Sequence, residues 1–459
     1  MAPLSPQRLA GLAGGRIGIW GLGREGRAAL DHLRRWVPGA RFEVLLDDAG
    51  EEAAARRLLA GWDDVRVLAG AARPASLGGY DLIVKSPGVS LYRPEIVAAR
   101  SAGLTVTSAT QLWFDLPPRG RVAFVTGTKG KSTTVSMLAA MLVRAGIPAA
   151  AVGNIGRPPL AADDLEPRPE VWVLELSSYQ AADLDATADL GVLLNLYPEH
   201  LTWHGGEERY FADKLRPFGG LPPGAAVINR ADRRIRERLD LFHDPVFFND
   251  PAGLHSCDGA LWDGGRRLAS LGELPLSGEH DLVNACAALA AARALGAATD
   301  PCLEALGEHR PLPHRLQRLG ERDGLLWVDD SLSTIPEATV AAVAAFAGRP
   351  VTVLVGGHDR GVEYGGLAAR LVAAPVQAVI CLPESGARVA AALRAELQRV
   401  DSPARPALFE AAGLEEAVEI ARRETPKGGV VLLSPAAASF GRFRDYRERG
   451  AAFAAAAGL

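Results

Sequence analysis

Val122-Ala-Phe-Val-Thr-Gly-Thr-Lys-Gly-Lys-Ser-Thr-Thr-Val135 is the stretch whose reading decides the fold. Its opening residues are apolar or β-branched and predict a buried strand, Val122–Thr126. Gly127–Ser132 follows as a glycine-rich loop. An apolar-faced helix then carries Val135, Leu138 and Leu142 and ends near Gly146 and Pro148. A strand, a glycine loop and a helix in succession form a phosphate cradle. Backbone N–H groups face the anion, Lys131 reaches β- and γ-phosphate oxygens, and the Ser132 hydroxyl can bind Mg²⁺. The loop is shorter than the common GxxxxGK[ST] form.

Working outward, a carboxylate is needed beside such a metal. Val171-Trp-Val-Leu-Glu-Leu176 reads as a strand with Glu175 near its C-terminal end. A carboxylate in an apolar strand is costly unless paired or metal-bound. A further strand, Leu190–Leu196, is expected to deliver His200 at its C-terminal end, where a neutral imidazole can bind a metal or a substrate oxygen. His204 reads as a surface or loop histidine, and Lys214 as a solvated lysine on a helix.

Upstream, Arg16–Trp20 predicts a strand, Gly21-Leu-Gly-Arg-Glu-Gly26 a tight turn, and a helix is expected from Arg27. This GxGxxG spacing suits an anion at a helix N-terminus, and standing alone it is a weak sign of a nicotinamide dinucleotide. The strand Phe42–Leu46 ends at Asp47-Asp48, and Asp81–Lys85 runs into Ser86-Pro-Gly88. Downstream, Leu325–Asp330, Val351–Val355, Val376–Leu382 and Gly429–Leu433 predict another set of strands. Strands alternate with Ala-rich helical segments throughout, the pattern of parallel α/β sheets.

The 459 residues are 48% hydrophobic and 23% charged, with 50 Lys plus Arg against 54 Asp plus Glu. That balance excludes a disordered chain and offers no basic excess for nucleic acid. No apolar run reaches a membrane span's length. The four cysteines are scattered and read as reduced thiols rather than a disulfide frame or zinc site. A soluble cytoplasmic protein is expected. Breaks at Asp115-Leu-Pro-Pro-Arg-Gly120 and Glu308-His-Arg-Pro-Leu-Pro-His-Arg315 predict three domains, 1–114, 115–309 and 310–459.

The chain resembles the Mur ligases of peptidoglycan synthesis, in their glutamate-adding branch. The residues that carry the resemblance are Thr126–Thr133, Gly153-Asn-Ile-Gly156, Glu175-Leu-Ser-Ser-Tyr-Gln180, Asn195-Leu-Tyr-Pro-Glu-His200, His280-Asp-Leu-Val-Asn284, Leu312-Pro-His-Arg315, Asp329-Asp-Ser331, Gly356-Gly-His-Asp-Arg-Gly361 and Leu433-Ser-Pro-Ala-Ala-Ala-Ser439. The resemblance implies a Rossmann-like UDP-sugar-binding domain, a central P-loop ATPase domain and a C-terminal Rossmann-like domain for the amino acid. It implies ATP as co-substrate, UDP-N-acetylmuramoyl-L-alanine and glutamate as partners, two Mg²⁺ ions, and a monomer. Gly127, Thr128, Lys129, Gly130, Lys131, Ser132, Thr133, Asn284, Arg315 and Asp330 would hold ATP. Gly21, Gly23, Arg24, Glu25, Asp47, Ser86, Gly88, Asn154 and His200 would hold the UDP-sugar. Thr334, Arg360, Ser439 and Tyr446 would hold glutamate. Ser132, Glu175, His200 and a carbamylated Lys214 would bind the metals, and Lys131, His200 and Lys214 would act in catalysis. Linkers near Pro117 and Pro311 would be hinges.

Departures from the usual glutamate-adding pattern are Leu332 after Asp-Ser, Asp359-Arg360-Gly361 for Asp-Lys-Gly, His280-Asp281 for His-Asn, and Lys129 for the common asparagine. Together they resemble the sister branch that adds L-glutamate rather than D-glutamate. An arginine at a carboxylate site is a planar fork where lysine is a point charge. D-glutamate addition, a folylpolyglutamate synthase, a nicotinamide-dependent oxidoreductase and a P-loop switch are the alternatives. The first domain speaks against the second, and the P-loop, Glu175 and Lys214 speak against the third.

Overall fold

The structure is a computed structural model that describes residues 4–73, 76–116, 120–276, 278–310, 313–359, 361–400, 405–439 and 441–459. Pro117, Pro311, Leu312 and Arg360 lie outside the described residues. The chain divides into two compact units, Met1–His309 and Arg310–Leu459.

The first unit holds two parallel sheets. The first comprises β1 (Arg16–Trp20), β2 (Arg41–Leu46), β3 (Val65–Ala69), β4 (Leu82–Lys85) and β5 (Thr105–Ser108), in spatial order β3-β2-β1-β4-β5. The second comprises β6 (Arg121–Thr126), β7 (Ala149–Gly153), β8 (Val171–Glu175), β9 (Leu190–Leu193), β10 (Ala226–Asn229) and β11 (Val246–Phe248), in order β11-β10-β9-β6-β8-β7. Their central strands are buried along most of their length, as sheets covered by helices on both faces require. One apolar core runs through both sheets, with Trp113 and Trp172 edge to face at 5.8 Å. On the other face of the second sheet, Val135, Leu138 and Leu142 of the helix Lys131–Arg144 pack with Ala285, Cys286 and Leu289 of the helix Glu279–Ala294. Alanine on that second helix removes side-chain bulk, so the helices approach closely and hold the loop before Lys131 in place.

A small antiparallel sheet, β12 (Leu254–Cys257), β13 (Ala260–Asp263) and β14 (Arg266–Ser270), also belongs to this unit. The second unit is built on β15 (Gln317–Arg322), β16 (Leu325–Asp329), β17 (Val351–Gly357), β18 (Val376–Glu384), β19 (Ala407–Glu410) and β20 (Val430–Leu433), in order β15-β16-β20-β17-β18-β19. It is parallel except for the edge strand β15.

Two expected elements move in ways that affect the site. The helix after the glycine turn begins at Arg24, not Arg27. Gly21 turns at φ 87°, and the Arg27 N–H already bonds the Gly23 carbonyl, so Arg24 and Glu25 lie in the first turn. β9 stops at Leu193, short of the expected Leu196, because the chain then serves the loop. Asn195 bonds the Lys129 backbone, and the Tyr197 N–H bonds the Thr128 hydroxyl. His200 is therefore not at a strand end. It caps the short helix Leu201–His204 at φ 57°.

Candidate active site

The P-loop leaves β6 in the middle of the second sheet and opens at the strands' C-terminal edge, where open α/β sheets bind ligands. Gly130 turns at φ 86°, and a Cβ there would lie 2.3 Å from Asn284 Oδ1, so the loop conformation and its contact with Asn284 both require glycine. Lys131 Nζ donates to the carbonyls of Gly127 and Thr128 at 2.9 and 3.0 Å. The Thr128 hydroxyl is 2.9 Å from the Tyr210 hydroxyl. Ser132 is buried and Thr133 half-buried at the start of the helix.

Glu175 ends β8, paired with Val125 on β6, and its side chain is buried. Asn154 Nδ2 donates to its Oε1 at 3.1 Å. Its Oε2 is buried with no hydrogen-bond partner among the described residues. An unpaired carboxylate oxygen in such a place costs free energy unless a cation or donor completes it.

Lys214 is buried on the helix Glu207–Leu215, and its Nζ donates to Gly127 O at 3.0 Å. Burial, with the nearby positive charge of Lys131, holds its pKa well below the ordinary lysine value. The His200 ring lies 4.8 Å from that of Tyr179, tilted by 45°, and its Nε2 is 3.7 Å from Glu199 Oε2. Partial burial, together with Lys131 and Lys214, lowers its pKa below 6.5 against the opposing pull of Glu199.

His204, expected at the surface, is instead fully buried. Its Nδ1 is 2.6 Å from Asp213 Oδ2 and its Nε2 is 3.1 Å from Ser178 Oγ. Tyr92, after β4, donates its hydroxyl to the other Asp213 oxygen at 2.5 Å. Serine, histidine and aspartate are thus in a row, but both Ser178 and His204 are closed to solvent, so the row is an internal strut and not a nucleophilic centre. A lone histidine outside any apolar run gives no local sign of facing inward.

Of the residues expected to hold a UDP-sugar, Ser86 Oγ donates to Gly21 O at 2.8 Å and Gly88 O accepts from Trp203 Nε1 at 3.1 Å. Gly23 caps the helix Arg24–Trp36. Arg24 donates to the carbonyls of Gly156 and Asn154 at 2.9 and 3.0 Å. Asp47 pairs with Arg93 at 2.7 Å and Arg73 at 3.2 Å, and both guanidiniums lie over the Trp20 ring. The Glu25 carboxyl is directed to Gln180 and Thr110, where burial raises its pKa to about 6. Sequence reasoning overlooked Arg73, Arg93 and Trp20, since arginines outside a motif look like solvated surface.

In the second unit, Asp330 is buried after β16 and accepts from Ser333 and Ser434, while burial raises its pKa to about 6. Arg315 is half-buried, and Thr334 is half-buried nearby in the chain. Ser439 lines a cavity of about 280 Å³ with His358, Glu384 and Arg449. Tyr446 opens the last helix and meets His314 edge to face at 5.8 Å. Arg449, unmarked in the sequence, is buried and donates to Ser331, Ala437 and Ala438, tying together the two loops that carry Thr334 and Ser439.

Among the described residues no three His, Cys, Asp or Glu side chains converge as a ready-made metal cage. Mg²⁺ keeps several waters and takes one or two protein carboxylates plus phosphate oxygens. The orphaned Oε2 of Glu175 fits such a donor set. No helix among the described residues is long and apolar enough to cross a membrane.

Three families match the chain: the Mur ligase MurD-like N-terminal domain over residues 15–108, the Mur ligase middle domain over 125–292, and the Mur ligase glutamate ligase domain over 314–437. The chain is 42% identical to a UDP-N-acetylmuramoyl-L-alanine--L-glutamate ligase of Xylella fastidiosa, covering 98% of this chain and 97% of that one. It is 40% identical to a protein of the same name from a Micromonospora species, covering 98% of each. Among solved structures, it is similar in fold to the UDP-N-acetylmuramate-alanine ligase of Thermotoga maritima, with a TM-score of 0.59, 20% identity and 96% and 98% coverage. It is also similar in fold to the MurF ligase of the same organism in complex with ADP, with a TM-score of 0.56, 20% identity and 83% and 90% coverage.

Proposed function

Because the chain belongs to the Mur ligase family, whose members are ATP-dependent and use Mg²⁺, we propose that it joins L-glutamate to UDP-N-acetylmuramoyl-L-alanine in peptidoglycan precursor synthesis. The choice of L-glutamate is supported by relatives of that name at 40–42% identity over nearly the whole chain. The nucleotide chemistry is best supported by one observation, the buried and unpartnered Glu175 Oε2 next to the P-loop strand.

The alanyl carboxylate of the substrate is a poor acyl donor, because its leaving group would be oxide. Its oxygen attacks the γ-phosphorus of ATP, ADP departs, and an acyl phosphate forms. The glutamate amine then attacks the acyl carbon, the C–O bond breaks and phosphate leaves. Lys131 and the P-loop N–H groups position the triphosphate and offset charge on the transferred group. His200, kept neutral at pH 7, is placed to accept a proton from the incoming amine or to hold a cation. Ser132, Glu175, His200 and Lys214 as its carbamate are the residues that would hold Mg²⁺, which when bound neutralises phosphoryl charge. A neutral amine is the form of lysine that adds CO₂, and the burial that depresses the Lys214 pKa favours that form. Asp47, Ser86, Gly21 and Gly88 would take the UDP end of the substrate. Thr334, Arg360, Ser439 and Tyr446 would take glutamate. The three regions 1–114, 115–309 and 310–459 would chiefly serve the UDP-sugar, ATP and glutamate in turn, with Asn154 and His200 of the second region also facing the sugar substrate and Arg315 and Asp330 of the third also facing ATP.

A coupling assay with each radiolabelled glutamate enantiomer tests the reading. Product and ADP are expected with L-glutamate; turnover confined to D-glutamate would overturn the stereochemistry. Lys214→Ala is expected to lose most activity and to recover part of it with added formate or acetate, which restore a carboxylate in the space vacated. Recovery is measured as phosphate release against carboxylate concentration. The depressed His200 pKa has a definite sign. The neutral form persists as pH falls through 6.5 and is lost only below it, so the acid limb of kcat/KM lies below pH 6.5, as a pH–rate profile will show.

A further inference from the structure

Lys129 stands in the P-loop two residues before Lys131. Its backbone is clamped by one side chain: its N–H donates to Asn195 Oδ1 at 2.8 Å and its carbonyl accepts from Asn195 Nδ2 at 3.0 Å. Its own side chain is not clamped in this way. It is 43% exposed, and its Nζ donates to Glu199 Oε1 at 2.8 Å. Glu199 is mostly buried, and its other oxygen is 3.7 Å from His200 Nε2. The lysine inside the loop and the glutamate before His200 are therefore partners.

We propose that Lys129 is a second phosphate-binding lysine, which Glu199 holds while the loop is empty and which an entering polyphosphate takes over. The exchange needs only a side-chain rotation, because the backbone of Lys129 stays bound to Asn195. A lysine has a flexible four-carbon stem and a compact charge, which suits a change of partner better than a rigid guanidinium would. The lysine end of this ion pair is open to water, which screens the attraction. A triphosphate presents several negative charges on the same loop, against the single charge of Glu199. The carboxylate that Lys129 leaves keeps His200 as its neighbour, so arrival of the nucleotide resets the charge beside the candidate proton acceptor. Lys131 remains the principal phosphate lysine, and Lys129 adds to it.

The proposal rests on the loop being the ATP site, and equilibrium binding separates the two claims. The probe is Mg²⁺ with the β,γ-methylene analogue of ATP, titrated into the full chain without sugar or amino acid. Lys129→Met is expected to weaken binding about tenfold, the scale of one charge-assisted contact. Glu199→Gln is expected to tighten it at least threefold by removing the competitor. In the Lys129→Met background the same glutamate change should then alter binding less than twofold. Lys129→Arg, which keeps the charge, should bind within threefold of the wild type and shows that the Met variant fails for lack of charge. A loss below threefold in Lys129→Met, weaker binding in Glu199→Gln, or a Glu199→Gln gain that survives without Lys129 would each overturn the exchange. Absence of binding in the wild type would instead refute the ATP-site reading, and the exchange with it.

Discussion

Lys131→Ala is expected to lower ligation at least ~10²-fold, the scale of losing a preorganised charge at a transferring phosphoryl group. The lysine opens the helix Lys131–Arg144, with its Nζ turned over the loop toward the Gly127 and Thr128 carbonyls. Those carbonyls hold the ammonium at the mouth of the cradle, so a phosphate oxygen meets a positive charge already in place. Removing it should reduce kcat as well as ATP affinity, because charge on the γ-phosphoryl oxygens changes as the bond to ADP breaks. Folding should change little, since the side chain is only half-buried. Steady-state phosphate release, with circular dichroism as the check on folding, measures both. A rate near that of the wild type would remove the P-loop from the mechanism.

Glu175→Ala is expected to cost a comparable ~10²-fold or more, for a different reason. One oxygen is held by Asn154 and the other is buried without a partner. That free oxygen is expensive in the empty protein and useful only with a cation present. The alanine variant should therefore be no less stable, and is expected to melt at or above the wild-type temperature while turning over poorly. Thermal unfolding without metal, compared with Mg²⁺-dependence of the rate, distinguishes this from a structural role. A variant that is active and unstable would contradict it.

The parts legible in the sequence share a physical cause. The strand Arg121–Thr126, its glycine loop and the helix from Lys131 are local, so composition and spacing declare them. Glu175 was legible because a carboxylate at the end of an apolar strand is costly. Asn284, Lys214 and Ser439 carried no local signal and entered only through resemblance to a family. His204 was misread for a related reason. Its burial depends on Asp213 and Ser178, which are 9 and 26 residues away, and no window centred on it contains that fact. The antiparallel strands β12–β14 are short and half-polar, so their turns at Asp258-Gly259 and Gly264-Gly265 were the stronger sign and passed unread. The end of β9 was set by hydrogen bonds to the P-loop, and the early start of the helix at Arg24 by the turn at Gly21, neither of which spacing registers.

The central claim is that ATP activates the substrate's carboxylate as an acyl phosphate before the amine attacks. It is tested most directly by labelling both oxygens of that carboxylate with ¹⁸O and following one turnover with L-glutamate. One labelled oxygen is predicted in each phosphate released and the other in the new amide. Phosphate without ¹⁸O, alongside normal peptide-bond formation, would contradict the account.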